Sequence, residues 1–352
     1  MIKKVIYSSS SRLEYSLNSV GRKGLRENGI EVFEFSVKDR GIWGPVDLIF
    51  FYWRNSKNID AIIIGYDSPA LVIFLRPFCR KKIIYNAFRS MHEGLITSRK
   101  LASPFSAKAI YHWLLDFMAV HLADLTVVES DNQAKYFKKL FKVSRKKIFR
   151  NWIGVDESMF FYDPTIPKAN VFTVLFRGSL MPEAGVEYII RAAKILEKEN
   201  IKFVMQAGGQ LLERTEKMIS ELKPANLDFK HDFMPINELR NLMQKCHLSI
   251  GQLSDHERLE RTIPHKVYES LIMRLPYLTA ANRGILELLK EGETCITCEP
   301  ANAESLAQRI LWARDNPQEL ERIAGNGYSL YQKELKSNIL AKNLLDRMGQ
   351  LY

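Results

Sequence analysis

Short runs of β-branched and aromatic residues alternate with amphipathic stretches along the chain. In the first half these runs predict five β-strands, and the segments between them predict helices. The strands are expected in KKVIYS, EVFEFSV, DAIIIG, KKIIYN and DLTVVES, and two of the helices in SLNSVGRKGLRENG and PFSAKAIYHWLLDFMAVHLA. The first helix ends at Gly29, a residue that suits a helix C-cap. Because parallel strands need crossover connections, the alternation indicates parallel sheets covered by helices.

The alternation stops over residues 161–171 and then begins again. This interval has two prolines and no periodicity, which predicts a linker. Beyond it, strands are expected in TVLFRGS, KFVMQAGG, LDFKHDF, HLSIGQL and PYLTA, and helices in GVEYIIRAAKILEKEN, LLERTEKMISELK and INELRNLMQKC. We therefore expect an α/β protein with two Rossmann-like domains facing each other across a cleft, at residues 1–160 and 172–335. Residues 336–352 predict a C-terminal helix that returns to the N-terminal domain.

Positive charge is concentrated in the first part of the sequence. The 352 residues have a net charge of +11, yet residues 1–152 carry 26 Lys and Arg against 13 Asp and Glu, and the remainder carries 25 against 27. This asymmetry predicts an anionic partner for the N-terminal half. The basic residues cluster in RPFCRKKIIY and KYFKKLFKVSRKKIFR.

The second basic segment predicts a helix that mixes lysines with four apolar side chains, those of Tyr136, Phe137, Leu140 and Phe141. Such a mixture suits docking on an anionic membrane surface, with aromatic anchors and a cationic fringe. In the alternative interpretation the aromatic residues pack on the sheet and the lysines are solvated. We expect a cytoplasmic protein that is peripheral on the inner face of the cell membrane.

Several other classes of protein are disfavoured. No apolar run approaches the roughly 20 residues of a membrane span, and the N-terminus lacks the apolar run of a signal peptide. Cys295 and Cys298 form a CxxC, but no second pair stands near it, and TCITCEP predicts a short buried strand rather than a metal or redox site. No nucleic-acid recognition motif is present, so nucleic acid is not an expected partner.

Six stretches together indicate a family. They are ADLTVVES, NWIGVDESMF, FRGSLMPEAGVEYIIRAAKIL, FVMQAGGQ, FKHDFMPINEL and IPHKVYESLIMRLPYLTA. In this order and spacing the chain resembles the GT-B glycosyltransferases of the retaining family 4 type, most specifically in its second half. The resemblance implies transfer of a hexosyl or N-acetylhexosaminyl group from a nucleotide-diphosphate sugar to a glycan or lipid-linked acceptor, with retention. It places the protein in bacterial surface-polysaccharide assembly, such as that of lipopolysaccharide, with no cofactor and no bound metal.

The resemblance also implies a donor-binding site in the C-terminal domain. Glu269 matches the glutamate that accepts the ribose hydroxyls, and glycine amides approach the diphosphate closely because glycine lacks a Cβ. The expected donor-binding residues are Arg177, Gly178, Ser179, Gly208, Gly209, Phe233, Arg261, Pro264, Lys266 and Glu269.

This sequence departs from the family at the diphosphate. Ser179 and Ala184 occupy the positions where most members have an arginine and a lysine. Arg177 is expected to point to the opposite face of its strand and to substitute only in part. Lys266, or Arg261 and Arg258, are the alternative sources of positive charge.

Candidate residues of the N-terminal domain follow its strands. His92 and Glu93 come after KKIIYN, where the family places a residue that lines the cleft, and they are the catalytic candidates that orient the sugar or the acceptor. Ser10, Ser11 and Arg12 follow the first strand and are expected to border the acceptor.

Two functions of another kind remain open. The missing Arg and Lys fit a non-catalytic GT-B protein that supports another glycosyltransferase. A sugar-nucleotide epimerase or hydrolase of the same fold would turn over the donor without any acceptor.

Overall fold

The computed structural model describes residues 2–352, and six parallel strands form the sheet of its first unit. The strands are β1 (Lys4–Ser9), β2 (Glu31–Ser36), β3 (Ala61–Ile64), β4 (Lys82–Phe88), β5 (Leu125–Val128) and β6 (Ile148–Arg150). The helices between them are α1 (Ser16–Glu27), α2 (Gly44–Asn55), α3 (Pro69–Leu75), α4 (Ala107–Leu122) and α5 (Asp131–Phe141). The strand order is β2-β1-β3-β4-β5-β6. This unit includes the chain up to Asp156 and the segment Glu334–Tyr352.

A second parallel sheet of six strands forms the unit Glu157–Lys333. Its strands are β7 (Phe172–Ser179), β8 (Ile201–Gly208), β9 (Leu227–Lys230), β10 (Leu248–Ile250), β11 (Tyr277–Ala280) and β12 (Ile296–Cys298). Its helices are α6 (Val186–Ile195), α7 (Leu212–Leu222), α8 (Ile236–Lys245), α9 (His265–Ile272), α10 (Ala303–Asp315) and α11 (Pro317–Leu330). The strand order is β12-β11-β10-β7-β8-β9, the doubly wound order of a dinucleotide-binding domain.

Both sheets reverse their winding at one point. In the first sheet the reversal lies between β1 and β3, and in the second between β7 and β10. Ligands of open α/β sheets bind beyond the carboxyl ends of the strands at such a point. The loops after β1, β3 and β7 are therefore where binding residues are expected.

The last helix, α12 (Ser337–Gly349), packs on α1 in the first unit. The Ser337 hydroxyl donates a hydrogen bond to Glu27 (2.8 Å), and the Asn28 amide donates one to the Asn338 carbonyl oxygen (2.8 Å). A Cβ on Gly24 would stand only 2.0 Å from the carbonyl oxygen of Ser337, so the contact requires glycine.

Two of the sequence predictions on apolar segments have opposite outcomes. The predicted buried strand at Cys295–Cys298 is confirmed, since β12 lies there and both thiols are buried. The prediction that the aromatic residues of α5 anchor the protein in a membrane surface is wrong. Phe137 and Phe141 are buried in the core of the first unit, and Tyr136 and Leu140 pack against that core. The apolar stripe of α5 covers the sheet, because it is the face that a crossover helix must bury.

Within residues 2–352, none of the helices is both long enough and apolar enough to traverse a bilayer.

Candidate functional site

The carboxyl end of β7 meets the first turns of α9 in the second unit. Arg177 and Glu269 form an ion pair there, and the Glu269 residue is 3% exposed. The expectation that Arg177 points away from this site is therefore wrong. Arg177 lies two residues before Ser179, and positions two apart share one face of a strand, so regular alternation itself keeps Arg177 on the side of Ser179.

Glu269 is held from a second side by its own helix. The Nδ1 atom of His265, one turn earlier, lies 3.0 Å from a carboxylate oxygen of Glu269. Each carboxylate oxygen has two lone pairs, so a glutamate with these two partners still has acceptor sites for hydroxyl groups.

Lys266 is the buried cation beside this pair. The residue is 8% exposed, its ammonium lies 3.8 Å from the centre of the Phe176 ring, and no described residue forms a hydrogen bond with it. A Cβ built on Gly178 would be 3.5 Å from the same nitrogen. Burial and then the nearby Arg177 charge hold the pKa of Lys266 well below its usual value. We name Arg177, Gly178, Lys266 and Glu269 the β7–α9 cluster.

The other candidate cations of this unit already have acidic partners. Glu183, which precedes Ala184, is buried, and its carboxylate pairs with Arg258. Arg261 lies 3.6 Å from the Glu257 carboxylate. Of the alternatives that the sequence offered, Lys266 is thus the one that forms no ion pair with an acidic side chain among the described residues.

The remaining donor-binding candidates lie around the same strand ends. Gly209 has φ +140°, and a Cβ there would stand 3.1 Å from the Leu180 nitrogen; that nitrogen donates a hydrogen bond to Gly208 (2.9 Å). Ser179 is exposed at the end of β7, Pro264 is the N-cap of α9, and Phe233 is 91% exposed in the loop after β9.

A cavity of about 560 Å³ lies in the first unit, at the carboxyl ends of β1, β3 and β4. We name it the switch-point cavity because β1 and β3 flank the winding reversal of this sheet. It is lined by Ser11, Arg12, Glu14, Tyr15, Lys38, Tyr66, Asp67, Arg89, Met91, Leu95 and Arg99.

The serine-rich loop after β1 forms part of this wall. The Ser11 hydroxyl donates to the Tyr66 carbonyl oxygen (3.1 Å) and accepts from the Asn18 amide (2.9 Å). Ser11 and Arg12 line the cavity as candidates for the acceptor side, whereas Ser10 is exposed and its backbone nitrogen donates to Ser68 (2.8 Å). The hydroxyl of Ser11 thus holds the loop in shape.

His92 and Glu93 follow β4, next to the lining residue Met91. Glu93 is fully buried and accepts a hydrogen bond from the Gln133 amide (2.8 Å). The backbone nitrogen of His92 donates to the Asp116 carboxyl (2.9 Å), whose pKa burial raises to about 6. Burial, then His112, lowers the pKa of the His92 imidazole. Their catalytic assignment stays a prediction.

The sequence analysis named Ser11 and Arg12 of the eleven residues that line the switch-point cavity and missed the other nine, among them Lys38, Tyr66, Asp67 and Arg89. Each of these four follows β2, β3 or β4 within three residues, and this position after a strand was the available signal. Among the described residues, no group of three or more His, Cys, Asp or Glu side chains is arranged to hold a metal ion.

Comparison with known proteins supports the fold and the family of the second unit. Residues 163–330 match the family model of the group 1 glycosyl transferases. The chain is 26% identical over 164 residues to an alpha-D-kanosaminyltransferase of Streptomyces kanamyceticus, covering 45% of this chain and 40% of that protein. It is also 26% identical over 141 residues to a 2-deoxystreptamine N-acetyl-D-glucosaminyltransferase of Niallia circulans, covering 38% and 34%. The matches therefore span less than half of these relatives.

Solved structures match along nearly the whole chain. Anabaena HepE in complex with UDP has a TM-score of 0.72 at 14% identity, with 99% of this chain and 100% of that chain covered. Sucrose-phosphate synthase from Thermosynechococcus elongatus has a TM-score of 0.77 at 13% identity, with 99% of both chains covered. At these identities the likeness concerns the fold, which has two Rossmann-like domains. The chain thus has the GT-B fold, and its residues 163–330 match the group 1 glycosyl transferases.

Proposed function

We propose that the protein transfers a hexosyl or N-acetylhexosaminyl group from a nucleotide-diphosphate sugar, with the donor bound at the β7–α9 cluster. The observation that carries this proposal is the buried ammonium of Lys266, which has no hydrogen-bond partner. A buried charge without a partner costs stability, and an anionic ligand removes that cost. Gly178 leaves the adjacent backbone open to a diphosphate.

The proposed role of each residue follows from the negative charge that develops on the leaving phosphate during sugar transfer. The bond between the anomeric carbon and the phosphate oxygen breaks, a bond to the acceptor hydroxyl oxygen forms on the same face, and the hydroxyl proton passes to the leaving phosphate. Lys266 stabilises the negative charge on that phosphate. Glu269 accepts hydrogen bonds from the ribose hydroxyls, and Arg177 and His265 hold its carboxylate in place.

The likeness to a transferase whose name specifies 2-deoxystreptamine as its acceptor supports a hydroxyl-bearing acceptor. We propose a glycan or lipid-linked acceptor and a role in surface-polysaccharide assembly, on the basis of the motif resemblance and the positive charge of residues 1–152.

A thermal-shift screen with UDP-, GDP- and TDP-sugars tests the donor proposal. A ligand that binds the folded state raises the unfolding temperature with its concentration, so one nucleotide series is expected to stand out. Slow hydrolysis of the same donor, measured as released nucleotide, is the second expected result. If no nucleotide or nucleotide sugar binds, the proposal fails.

The second candidate is the non-catalytic partner subunit. Ser179 and Ala184 favour it, together with the pairing of Arg258 to Glu183, because two usual cations are missing and a third is neutralised. This candidate predicts that donor binds without hydrolysis or transfer, and that restoring Arg and Lys at positions 179 and 184 changes neither.

We also propose reversible attachment to an anionic membrane, through a different surface from the one that the sequence suggested. Trp43, Phe50 and Trp53 are each about half exposed or more, at 66%, 52% and 49%. The rings of Phe50 and Trp53 lie 5.6 Å apart, and that of Phe78 lies 6.0 Å from Trp53. We name Trp43, Phe50, Trp53 and Phe78 the aromatic patch.

Charge and chemistry favour a bilayer as the occupant of the aromatic patch. Aromatic side chains prefer the interfacial region of a bilayer. The exposed Arg54 and Lys57, in and just after α2, complement an anionic leaflet, where each cation contributes ~1 kcal/mol.

A further inference from the structure

Positively charged residues outnumber acidic ones in the lining of the switch-point cavity, and the proposed donor site at the β7–α9 cluster does not account for this excess. Four of the cavity's lining residues are cationic, namely Arg12, Lys38, Arg89 and Arg99, and two are acidic, namely Glu14 and Asp67. Within the described chain, no ion pair of Arg12 or Lys38 is found, and both residues are exposed at the rim. An excess of cations in a concave, partly desolvated site attracts an anionic ligand.

Arg89 is fixed in the cavity wall rather than mobile. Its Nε donates a hydrogen bond to the Tyr66 hydroxyl (2.6 Å), and its guanidinium carbon lies 5.5 Å from the centre of the Tyr66 ring. A Cβ on Gly94 would stand 1.7 Å from a guanidinium nitrogen, so glycine at that position makes room for the group. Burial lowers the pKa of Arg89, but the charges of Tyr66 and Asp67 outweigh it and the net shift is upward. A rigid, charged fork suits bidentate recognition of a carboxylate or phosphate.

Two residues near the Arg89 guanidinium have left-handed backbone conformations, which are strained for residues other than glycine. Asp67, after β3, has φ +60°, and Phe88, immediately before Arg89, has φ +52°. The pairing of β4 with β5 also shifts register between Asn86 and Phe88. Left-handed conformations of residues other than glycine cluster at ligand sites, where they aim particular side chains. Here they direct the ends of two strands to one cavity.

The other side of the cavity is apolar and includes an aromatic ring. Tyr15 is 52% exposed, and its ring lies 6.0 Å from that of Tyr66 at an interplanar angle of 30°. Met91 and Leu95 continue this side. A partly exposed tyrosine face presents a flat apolar surface with a polar edge, which suits the C–H face of a pyranose ring.

We propose that the switch-point cavity binds an acidic sugar, either a uronic acid or a sugar phosphate, as the terminal unit of the acceptor. The ring stacks on Tyr15, and its carboxylate or phosphate binds Arg89, with Arg12 and Lys38 at the rim. The proposal rests on the transferase function for its biological meaning, but the binding itself does not require a donor. A cavity of about 560 Å³ accommodates one or two sugar units.

Saturation-transfer NMR with D-glucuronate, glucose 6-phosphate and neutral D-glucose tests the proposal on the full-length protein. Both acidic sugars are expected to bind about tenfold more tightly than glucose, since charge-assisted hydrogen bonds exceed neutral ones by that order. Arg12→Gln is expected to weaken the acidic sugars about fivefold and to leave glucose unchanged. Equal binding of all three sugars, or no binding of either acidic sugar, would overturn the proposal.

Arg80→Gln is the matched control, because Arg80 is also an exposed arginine of the first unit but does not line the cavity. If Arg80→Gln weakens the acidic sugars as much as Arg12→Gln does, the effect is that of overall charge and the acidic-sugar site is rejected. Arg89→Lys keeps the charge but loses the planar guanidinium, and it is expected to lower the preference for the acidic sugars over glucose.

UDP binding measured by calorimetry on the same samples separates the two proposals. If UDP does not bind while the acidic sugars do, the donor proposal fails and the cavity assignment stands. If UDP binds and the acidic sugars behave like glucose, the cavity assignment fails alone.

Discussion

The β7–α9 cluster and the switch-point cavity both lie where their sheets reverse, but they hold positive charge in opposite ways. The cluster has the buried ammonium of Lys266, which has no hydrogen-bond partner among the described residues. The cavity is wide, and Arg12 and Lys38 extend from its exposed rim. A buried cation interacts strongly with one bound group at a cost in stability, whereas exposed cations cost little and interact weakly. If the two proposals hold, the difference makes the proposed donor site precise and the proposed acceptor site more permissive.

Lys266→Met gives the sharpest test of the buried charge. We expect UDP affinity to fall roughly 100-fold, because losing one partner of a buried charge pair has effects of this order. Uridine, which lacks the phosphates, should bind the variant and the original protein alike. Calorimetry measures both affinities, with Lys217→Met, an exposed lysine of α7, as the control. A similar loss for uridine would mean that the substitution damaged the whole site.

Glu269→Gln probes the other end of the proposed donor site. The original protein should prefer UDP to 2′-deoxy-UDP about tenfold, and the variant should lose most of that preference, because the amide accepts hydroxyl hydrogen bonds less well. The ratio between the two ligands cancels any general effect of disturbing the pair with Arg177. An unchanged ratio would remove Glu269 from ribose recognition.

Gly94→Ala tests the cavity through its rigid fork without removing a charge. The added Cβ displaces the Arg89 guanidinium, so glucuronate should bind about fivefold more weakly, while UDP affinity stays constant. Gly29→Ala, at a left-handed position with open space around it, shows what backbone strain alone does. Equal effects of the two substitutions on glucuronate would contradict a specific role for Arg89.

The burial of Lys266 also leads us to expect a particular change of stability with pH in the absence of ligand. The folded state lowers the pKa of Lys266 below its unfolded value, so the unfolded chain binds more protons near neutral pH. Between the lowered pKa of the folded state and the unfolded pKa of ~10.4, the free energy of unfolding should therefore rise with pH. The slope from this one group is at most ~1.4 kcal/mol per pH unit. Urea unfolding of the original protein and Lys266→Met between pH 7 and 9 isolates this contribution. Parallel stability profiles would show that Lys266 keeps its ordinary pKa.

Trp53→Ser is expected to give the smallest change. Co-sedimentation with phosphatidylglycerol vesicles should fall about threefold, since one of several aromatic anchors is removed. Binding should also weaken with added salt and be absent on phosphatidylcholine alone. Ile195→Ser, an exposed apolar residue of the second unit, serves as the control. Equal sedimentation with neutral and anionic vesicles would remove the membrane proposal.

The two regions also differ in how far the sequence predicted them. Lys266 and Glu269 lie three residues apart on one helix, so a short motif contains their chemistry. Arg12, Tyr66 and Arg89 follow three different strands and are separated by more than twenty residues each. A pattern search within a short window finds the first kind of site, and it finds Ser11 and Arg12 of the second kind but not their partners.

Burial explains the failure at α5. Its sequence mixes lysines with Tyr136, Phe137, Leu140 and Phe141, and such a helix suits a bilayer or a sheet equally well. The structure buries its two phenylalanines and leaves Trp43 and Trp53 exposed instead. Amphipathicity specifies that a face is covered, but it does not specify what covers it.

The sequence by itself determined the alternation of strands and helices, the two parallel sheets and the position of the α9 motif. These features depend on local periodicity and on residues close together in the chain. Only the tertiary structure decided that Arg177 pairs with Glu269, that Arg258 is neutralised by Glu183, and that Lys266 is buried with no hydrogen-bond partner among the described residues. The physical reason is that charge pairing and desolvation depend on distances across the fold, and residue spacing along the chain does not fix those distances.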